Sequence, residues 1–142
     1  MNDQLQKSQG LDELTALHGL TLDNLAGFDT MVEKSEPEFR KTTQAFQALH
    51  SRHAAILAKM LTRFARDPEK DGSLMGTVNR VVVSLRSLVD DIDQDTMKNI
   101  RTGEQFVLDA FDTAIASDLP TDVVGQLVAL KAELTALLAA SS

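Results

Sequence analysis

Apolar residues recur along this chain at the three- and four-residue spacing of helices, and no segment shows the sustained alternation of a strand. The pattern predicts a long helix over residues 11–34, a second that runs to about residue 66, and two shorter helices towards the C-terminus. Each helix carries a stripe that indicates a face buried in a common core. The predicted stripes are Leu11, Leu14, Leu22, Leu25, Phe28 and Val32; Phe39, Thr43, Phe46, His50, His53, Leu57, Met60 and Phe64; Met97, Ile100, Glu104, Val107 and Phe111; and Val123, Leu127, Leu130, Leu134 and Leu137.

Turn residues between these segments indicate where the helices begin and end. Ser35 can cap the second helix, with Glu38 completing a capping box three residues later, and Pro37 suits a first helical turn. Asp67 ends that helix because a residue before proline disfavours the helical conformation. The acidic run over residues 90–95 suits the N-terminus of the next helix, and it lacks the glycine and final glutamate of a calcium-binding loop.

A long connection joins the two pairs of helices. Residues 67–73 form a polar linker, and a short helix is predicted from Leu74 to about Val89. A connection of about 25 residues can run back along a bundle, so the pattern predicts an all-α, ferritin-like four-helix bundle with a long crossover that contains a short fifth helix. The alternative is an up-down bundle with a fifth helix packed on one end. We expect residues 1–10 to form a flexible N-terminal lead and residues 11–140 a single domain.

The composition of the 142-residue chain narrows the class of protein. Aromatic residues make up 4% and are all phenylalanine, which disfavours a β-sandwich or barrel. The net charge of −7 repels a nucleic-acid backbone, and no stretch approaches the roughly 18 uncharged apolar residues that cross a bilayer, so we expect no nucleic-acid or membrane partner. The absence of cysteine excludes disulfides and thiolate metal sites, and it fits a cytoplasmic location.

Several short motifs resemble those of a bacterial family of ferritin-like four-helix-bundle proteins of unknown function, some of them associated with stress responses. The resemblance extends over residues 11–138 and implies the ferritin-like fold, while the activity of that family is unsettled. The motifs that carry it are Asp23 with Gly27-Phe28, Asp71-Gly72-Ser73-Leu74-Met75-Gly76, Arg80, Leu85-Arg86, Gly103-Glu104 and Ser117-Asp118-Leu119-Pro120.

Ferritin-like di-iron proteins bind their metals with a glutamate from each of two helices and a Glu-x-x-His motif from each of the other two. This chain contains no Glu-x-x-His, and the residue three positions before His50 is Gln47. A complete di-iron centre is therefore excluded by the number of ligands.

A smaller polar cluster remains at inward positions. His50 and His53 lie on the stripe of the second helix, and Glu104 is the only acid on the stripe of the third. If the crossover makes these two helices parallel, Glu104 falls near the level of His50. Pairing of the first two helices places His18 opposite His53, and Glu133 of the last helix can flank the group.

Two interpretations of this cluster remain open. His50, His53, Glu104 and His18 could bind one transition-metal ion, such as zinc, copper or iron, because imidazole and carboxylate groups are suitable ligands. The preferred interpretation is a buried hydrogen-bonded network in which Glu104 accepts a hydrogen bond from an imidazole or from Thr21, since an unpaired buried carboxylate is costly.

Glycines inside helices indicate close packing, because glycine weakens a helix relative to alanine. Gly103 lies directly before Glu104, and we expect it to make room beside the polar cluster. Gly76 is expected to allow a similarly close approach of two helices.

These features favour a non-enzymatic bundle that associates with itself as a dimer or binds another protein. The predicted crossover helix carries more apolar residues than one buried stripe requires, so its spare face could pack against a second copy. The alternative function is a metal-binding protein with one ion at the histidine and glutamate cluster. No catalytic residues are predicted, because no pairing of a nucleophile with a base is recognisable.

Overall fold

The computed structural model describes residues 2–66 and 93–141, with side chains from residue 9 onward. Its helices are α1 (Asn2–Lys34), α2 (Pro37–Arg63), α3 (Met97–Ala116) and α4 (Thr121–Ala140), and a 3₁₀ turn at Gln94–Thr96 leads into α3. The described part contains no β-strand, which confirms the predicted all-α class. The predicted crossover helix from Leu74 to about Val89 lies outside the described residues, as does Gly76.

The four helices pack as a ring in which each one contacts two neighbours. α1 lies between α2 and α3, and α4 packs against the opposite sides of α2 and α3. Contacts of α1 with α3 join Asn24 to Glu104 and Gly10 to Asp118, so these two helices are antiparallel. In the same way, α2 and α4 are antiparallel, because Arg63 near the end of α2 pairs with Asp122 at the start of α4.

These directions fix how the two helical pairs are connected. Since α3 is antiparallel to α1 and α1 is antiparallel to α2, α3 points in the same direction as α2. The end of α2 and the beginning of α3 therefore lie at opposite ends of the ring. The chain between residues 66 and 93 connects these two ends.

The buried face of α1 differs from the predicted stripe. Leu22 is 37% exposed, and Leu11, Leu25 and Val32 are only partly buried. The observed face is rotated relative to the predicted stripe, because some inward positions are occupied by polar side chains. A pattern of apolar residues does not reveal such positions. The buried residues of this face are Leu14, Leu17, His18, Thr21, Asn24, Phe28 and Met31.

The stripes of the other three helices are buried almost as predicted. In α2 every predicted residue except Phe64 is buried, and Phe64 packs against the core from the helix end. The whole predicted stripe of α3 is buried. In α4 the last buried residue is Leu138, and the predicted Leu137 is partly buried.

The first helix begins at Asn2, nine residues before the start that the apolar stripe predicts. Gly10, within the expected lead, is buried against the loop between α3 and α4. A methyl group at Gly10 would lie 3.0 Å from the carbonyl oxygen of Asp118. Glycine at this position therefore allows a close approach of two backbones.

The turn between α1 and α2 does not contain the predicted capping box. The residue before α2 is Glu36, whose side chain makes no capping hydrogen bond, and Pro37 occupies the first turn. Ser35 lies one residue too early to cap α2. Its hydroxyl instead lies 2.5 Å from the Met31 carbonyl, to which it donates, and 2.9 Å from the hydroxyl of Thr43.

The second helix ends at Arg63, earlier than the predicted end before the proline. Ala65 has a φ of 60°, and its amide donates to the carbonyl of Thr62 while that of Arg66 donates to Leu61. This left-handed residue with two backward hydrogen bonds is a Schellman motif, which terminates the helix by itself. Asp67 and the proline after it lie outside the described residues.

One described helix, α4, is long and apolar enough by length and composition to cross a membrane. Its mean hydropathy is 1.6 over an 18-residue window, of which 28% is buried. The helix contains Asp122, Lys131 and Glu133, so it is not a run of uncharged residues of the length considered above. Core helices of soluble proteins and signal sequences pass the same test, so length and composition alone do not identify a membrane span.

Candidate functional site

The polar cluster centres on the carboxylate of Glu104, which is 1% exposed on the inner face of α3. Its Oε1 lies 2.8 Å from Nε2 of His50 on α2 and accepts a hydrogen bond of 3.1 Å from the side-chain amide of Asn24 on α1. A hydrogen on Nε2 allows His50 to donate to the carboxylate. One buried oxygen therefore connects three helices.

Aromatic rings hold the imidazole of His50 in place. Phe28 stacks on His50 at 5.6 Å between ring centroids, and Phe46 stacks on the same phenylalanine at 5.1 Å. All three rings are at least 97% buried. Because these neighbours are apolar, the hydrogen bond to Glu104 is shielded from water and constrained in direction.

His53 lies one turn further along α2, and its ring faces a different acid. Its Nε2 is 3.7 Å from Oε2 of Glu133 on α4, which is too long for a hydrogen bond. Phe111 packs against this ring in a T-shaped arrangement with 6.2 Å between the ring centroids, and Glu133 pairs with Arg52. Burial lowers the pKa of His53 to about 4, so its imidazole is neutral near pH 7.

Two further ionisable groups are buried on α1. His18 is 4% exposed, its Nδ1 has no hydrogen-bond partner, and burial lowers its pKa. Asp23 is fully buried, and neither of its carboxylate oxygens has a hydrogen-bond partner. Burial raises the pKa of Asp23 from 3.8 to about 7, because the charged form loses its hydration.

The structure brings together only part of the residue set selected from the sequence. Glu104 contacts His50, whereas His53 is directed towards Glu133. No described hydrogen bond or ion pair joins His18 to the other three residues. Thr21, expected as a donor to Glu104, instead donates to the carbonyl of Leu17 in its own helix at 2.9 Å.

Sequence reasoning missed Asn24 and Asp23. Asn24 lies three residues after Thr21, so it belongs to the buried face of α1. A correct prediction of which side of α1 faces the core would have identified it. Asp23 is next to that face and gives no apolar signal. Apart from the motif of Asp23 with Gly27-Phe28 that carries the family resemblance, nothing in the pattern of the sequence distinguishes Asp23 from the exposed Asp29.

The residues present do not fit a di-iron centre. In the part of the chain that the structure describes, Asp23 and Glu104 are the only buried acids, and no histidine lies three residues after a glutamate. No group of three or more histidine, aspartate or glutamate side chains in residues 2–66 and 93–141 is arranged to hold a metal ion. Within the cluster, the hydrogen bonds of Glu104 with His50 and Asn24 form a polar layer that joins α1, α2 and α3.

Gly103 does not make room beside this layer as expected. Among the described residues, a methyl group added at Gly103 would meet no heavy atom within 4 Å outside its own helix segment. Close packing between these residues therefore gives no reason for glycine at this position.

The described helices thus define a helical bundle with a buried polar layer. Residues 9–117 match the family described as a domain of unknown function, DUF2383, and the match covers most of the chain. The chain belongs to this family. Among curated proteins and solved structures, none matches the chain.

Replacing Glu104 tests how much the polar layer contributes to the free energy of unfolding. Glu104→Ala leaves His50 and Asn24 buried without an acceptor, so we expect a loss of about 1–3 kcal/mol in the free energy of unfolding beyond the effect of lost packing. Glu104→Gln retains one carbonyl acceptor and should lose less. Urea unfolding followed by circular dichroism measures both, with Glu33→Gln, at an exposed position of α1, as the matched control. Equal stability of wild type and Glu104→Ala would contradict the arrangement.

Asp23 should make stability depend on pH. Its pKa is raised in the folded state, so the folded chain binds the proton more tightly than the unfolded chain, and stability falls as pH rises from about 4 to 7. In Asp23→Asn this contribution is absent. We expect the stability of the variant relative to wild type to increase by about 1–3 kcal/mol between pH 4 and pH 8.

Thermal or urea unfolding at several pH values measures this difference. The matched control is Asp109→Asn, which changes an exposed carboxyl on α3. The assignment fails if the two variants show the same dependence on pH.

Gly103→Ala should raise the melting temperature. Alanine is favoured over glycine in a helix by up to about 1 kcal/mol, and the open space at this position imposes no steric cost. A gain of this size corresponds to a few degrees for a domain of this length. Differential scanning calorimetry measures the change in melting temperature. A lower melting temperature for Gly103→Ala would contradict this prediction and support a role of Gly103 in close packing. Gly10→Ala provides the contrasting case, because its methyl group would meet the Asp118 carbonyl.

Proposed function

We propose that this protein is a non-enzymatic, ferritin-like four-helix bundle that associates with a second copy of itself. The helix directions support the ferritin-like part of the proposal. Neighbouring helices are antiparallel, α2 and α3 point the same way, and the connection between them joins opposite ends of the ring. A four-helix bundle with one long crossover has this arrangement.

The hydrogen bonds of Glu104 are the observation that supports a non-enzymatic role. In a di-iron bundle the inward carboxylates are ligands of the metals. In this chain Oε1 of Glu104 instead accepts hydrogen bonds from His50 and Asn24. These contacts cross-link α1, α2 and α3 and give the carboxylate a structural role. A bundle that keeps the helical frame without the metal ligands is suited to binding rather than redox chemistry.

Exposed apolar surface supports self-association. Phe106 on α3 is 63% exposed and Val128 on α4 is 50% exposed, and the apolar α4 is mostly unburied. Exposed apolar surface of this kind is available for contact with another chain. The crossover helix, whose apolar residues first suggested a dimer, lies outside the described residues.

The proposal places the bundle in the bacterial cytoplasm, with a role associated with stress responses. The absence of cysteine supports the location, because disulfides are rare in reducing compartments. The stress association is supported by the sequence resemblance.

Light scattering after size-exclusion chromatography tests self-association. We expect a particle of twice the 15.5 kDa chain mass at micromolar protein concentrations. A mass of one chain at the highest soluble concentration would contradict the proposal.

A second candidate function is the binding of one transition-metal ion, such as zinc, copper or iron. The observation in its favour is that Nδ1 of His50, Nε2 of His53 and Oε2 of Glu104 are buried without hydrogen-bond partners. Unsatisfied buried polar atoms are unusual, and an ion could satisfy them. His18 also carries such an atom.

Elemental analysis of the purified protein and calorimetric titration with zinc, copper and iron separate the two candidates. The structural proposal expects no metal and no heat of binding at micromolar concentrations. Stoichiometric metal that is lost in the double variant His50→Ala/His53→Ala, but retained in the control Asp109→Ala at an exposed position of α3, would establish the second function instead.

A further inference from the structure

The last helix, α4, is attached to the bundle along one narrow side. Only 28% of its 18-residue window is buried, although the mean hydropathy of that window is 1.6. Its buried residues form one row at steps of three and four, which consists of Val123, Leu127, Leu130, Leu134 and Leu138. Apolar packing therefore holds this helix through a single row of residues.

The buried polar layer around Glu104 joins α1, α2 and α3, and α4 contributes none of its hydrogen bonds. The ion pairs of α4 with α2 lie at the surface instead, where Arg63 pairs with Asp122 and Arg52 pairs with Glu133. These four side chains are between 39% and 61% exposed. Because ion pairs this exposed contribute little to stability, polar contacts fix α4 less firmly than they fix the other three helices to one another.

The family match also separates α4 from the other described helices. It covers residues 9–117, which contain α2, α3 and most of α1, and it ends before α4 begins at Thr121. The groove between α2 and α3 nevertheless has to be filled, because Leu127 and Leu134 are fully buried against it. Exposure of this apolar surface to water would be costly, so a helix with the sequence of α4 must occupy the groove.

That helix can come from the same chain or from a second copy. If two copies exchange α4, every contact of α4 with α2 and α3 is formed again between the copies. The exchanged dimer therefore needs no new complementary surface, and only the loop between α3 and α4 changes its conformation.

The loop between α3 and α4 is short and largely extended. It consists of residues 117–120, in which Ser117 has a ψ of 171° and Pro120 has a φ of −56° and a ψ of 147°. Leu119 precedes the proline, which disfavours a helical conformation at that residue. A short loop that must reverse the chain direction within one copy favours exchange, because a straight path leads away from α3.

We infer that two copies of the chain exchange α4, so that the α4 of each copy fills the groove between α2 and α3 of the other. Residues 117–120 are the hinge. The inference rests on the proposed self-association and specifies how it is achieved. In this dimer the partner's Asp122 pairs with Arg63, and the partner's Glu133 lies beside His53. The second copy thus supplies the acid that faces a buried histidine.

Charge reversal across the contact between α2 and α4 tests this arrangement. Arg63→Glu and Asp122→Lys each place like charges at the contact, both within one chain and in a dimer of identical variants. When the two variants are refolded together from urea, an exchanged mixed dimer has opposite charges at both contacts. We expect mixed dimers to be favoured over random pairing by about tenfold. Native mass spectrometry with one variant isotopically labelled measures the ratio.

The ion pair of Arg66 with Asp12 provides the matched control. It joins α1 to the residues that follow α2, so it stays within one chain in the exchanged dimer. Arg66→Glu and Asp12→Lys have the same net charges as the two test variants, and we expect them to pair at random. Circular dichroism establishes that all four variants are folded.

Lengthening the hinge provides a second measurement. Insertion of Gly-Ser-Gly-Ser between Asp118 and Leu119 lets α4 return to its own chain more easily, so the dimer dissociation constant should rise by about tenfold or more. The same residues added after Ser142 leave the hinge unchanged and serve as the control. Light scattering at several protein concentrations measures both constants.

The outcomes separate this inference from the proposed function. A wild-type monomer overturns both. A wild-type dimer whose Arg63→Glu and Asp122→Lys variants pair at random overturns the exchange of α4 and leaves self-association intact. A dissociation constant that the insertion does not change contradicts the assignment of residues 117–120 as the hinge.

Discussion

The bond between Glu104 and His50 constrains the rest of the bundle. A carboxylate that is 1% exposed requires a donor, and the donors present come from α2 and α1. An apolar core tolerates small rotations of its helices, whereas a buried hydrogen bond is satisfied in one arrangement only. This layer therefore specifies the relative rotation and level of three helices. The stacked rings of Phe28 and Phe46 lie beside this layer and exclude water that would otherwise compete for its hydrogen bonds.

The same layer explains what could be predicted from the sequence. In α3 and α4 the inward positions are almost all apolar, so their spacing identified the buried face. In α1 the inward positions include His18, Thr21 and Asn24, so the apolar pattern indicated a face that leaves Leu22 exposed. The pairing of Glu104 with His50 followed from their level along parallel helices. The contribution of Asn24 did not, because it depends on the rotation of α1.

Helix ends were less predictable because several groups compete for the same backbone partners. The hydroxyl of Ser35 could cap α2, but it donates to the preceding helix at Met31 and contacts Thr43, which together hold the turn. At the other end of α2, Ala65 adopts a left-handed conformation that an alanine disfavours. The backward hydrogen bonds of the Schellman motif compensate for that cost. These hydrogen bonds join backbone groups of neighbouring residues, so the pattern of side chains in the sequence does not reveal them.

The two faces of α4 differ in the size of their side chains. The buried face contains valine and leucine, whose burial stabilises the bundle, whereas the exposed residues include Gly125, Ala129 and Ala132. Alanine favours the helical conformation without adding much apolar area. The position of α4 in the bundle therefore depends on its buried face, while the alanines of its exposed face favour the helix itself.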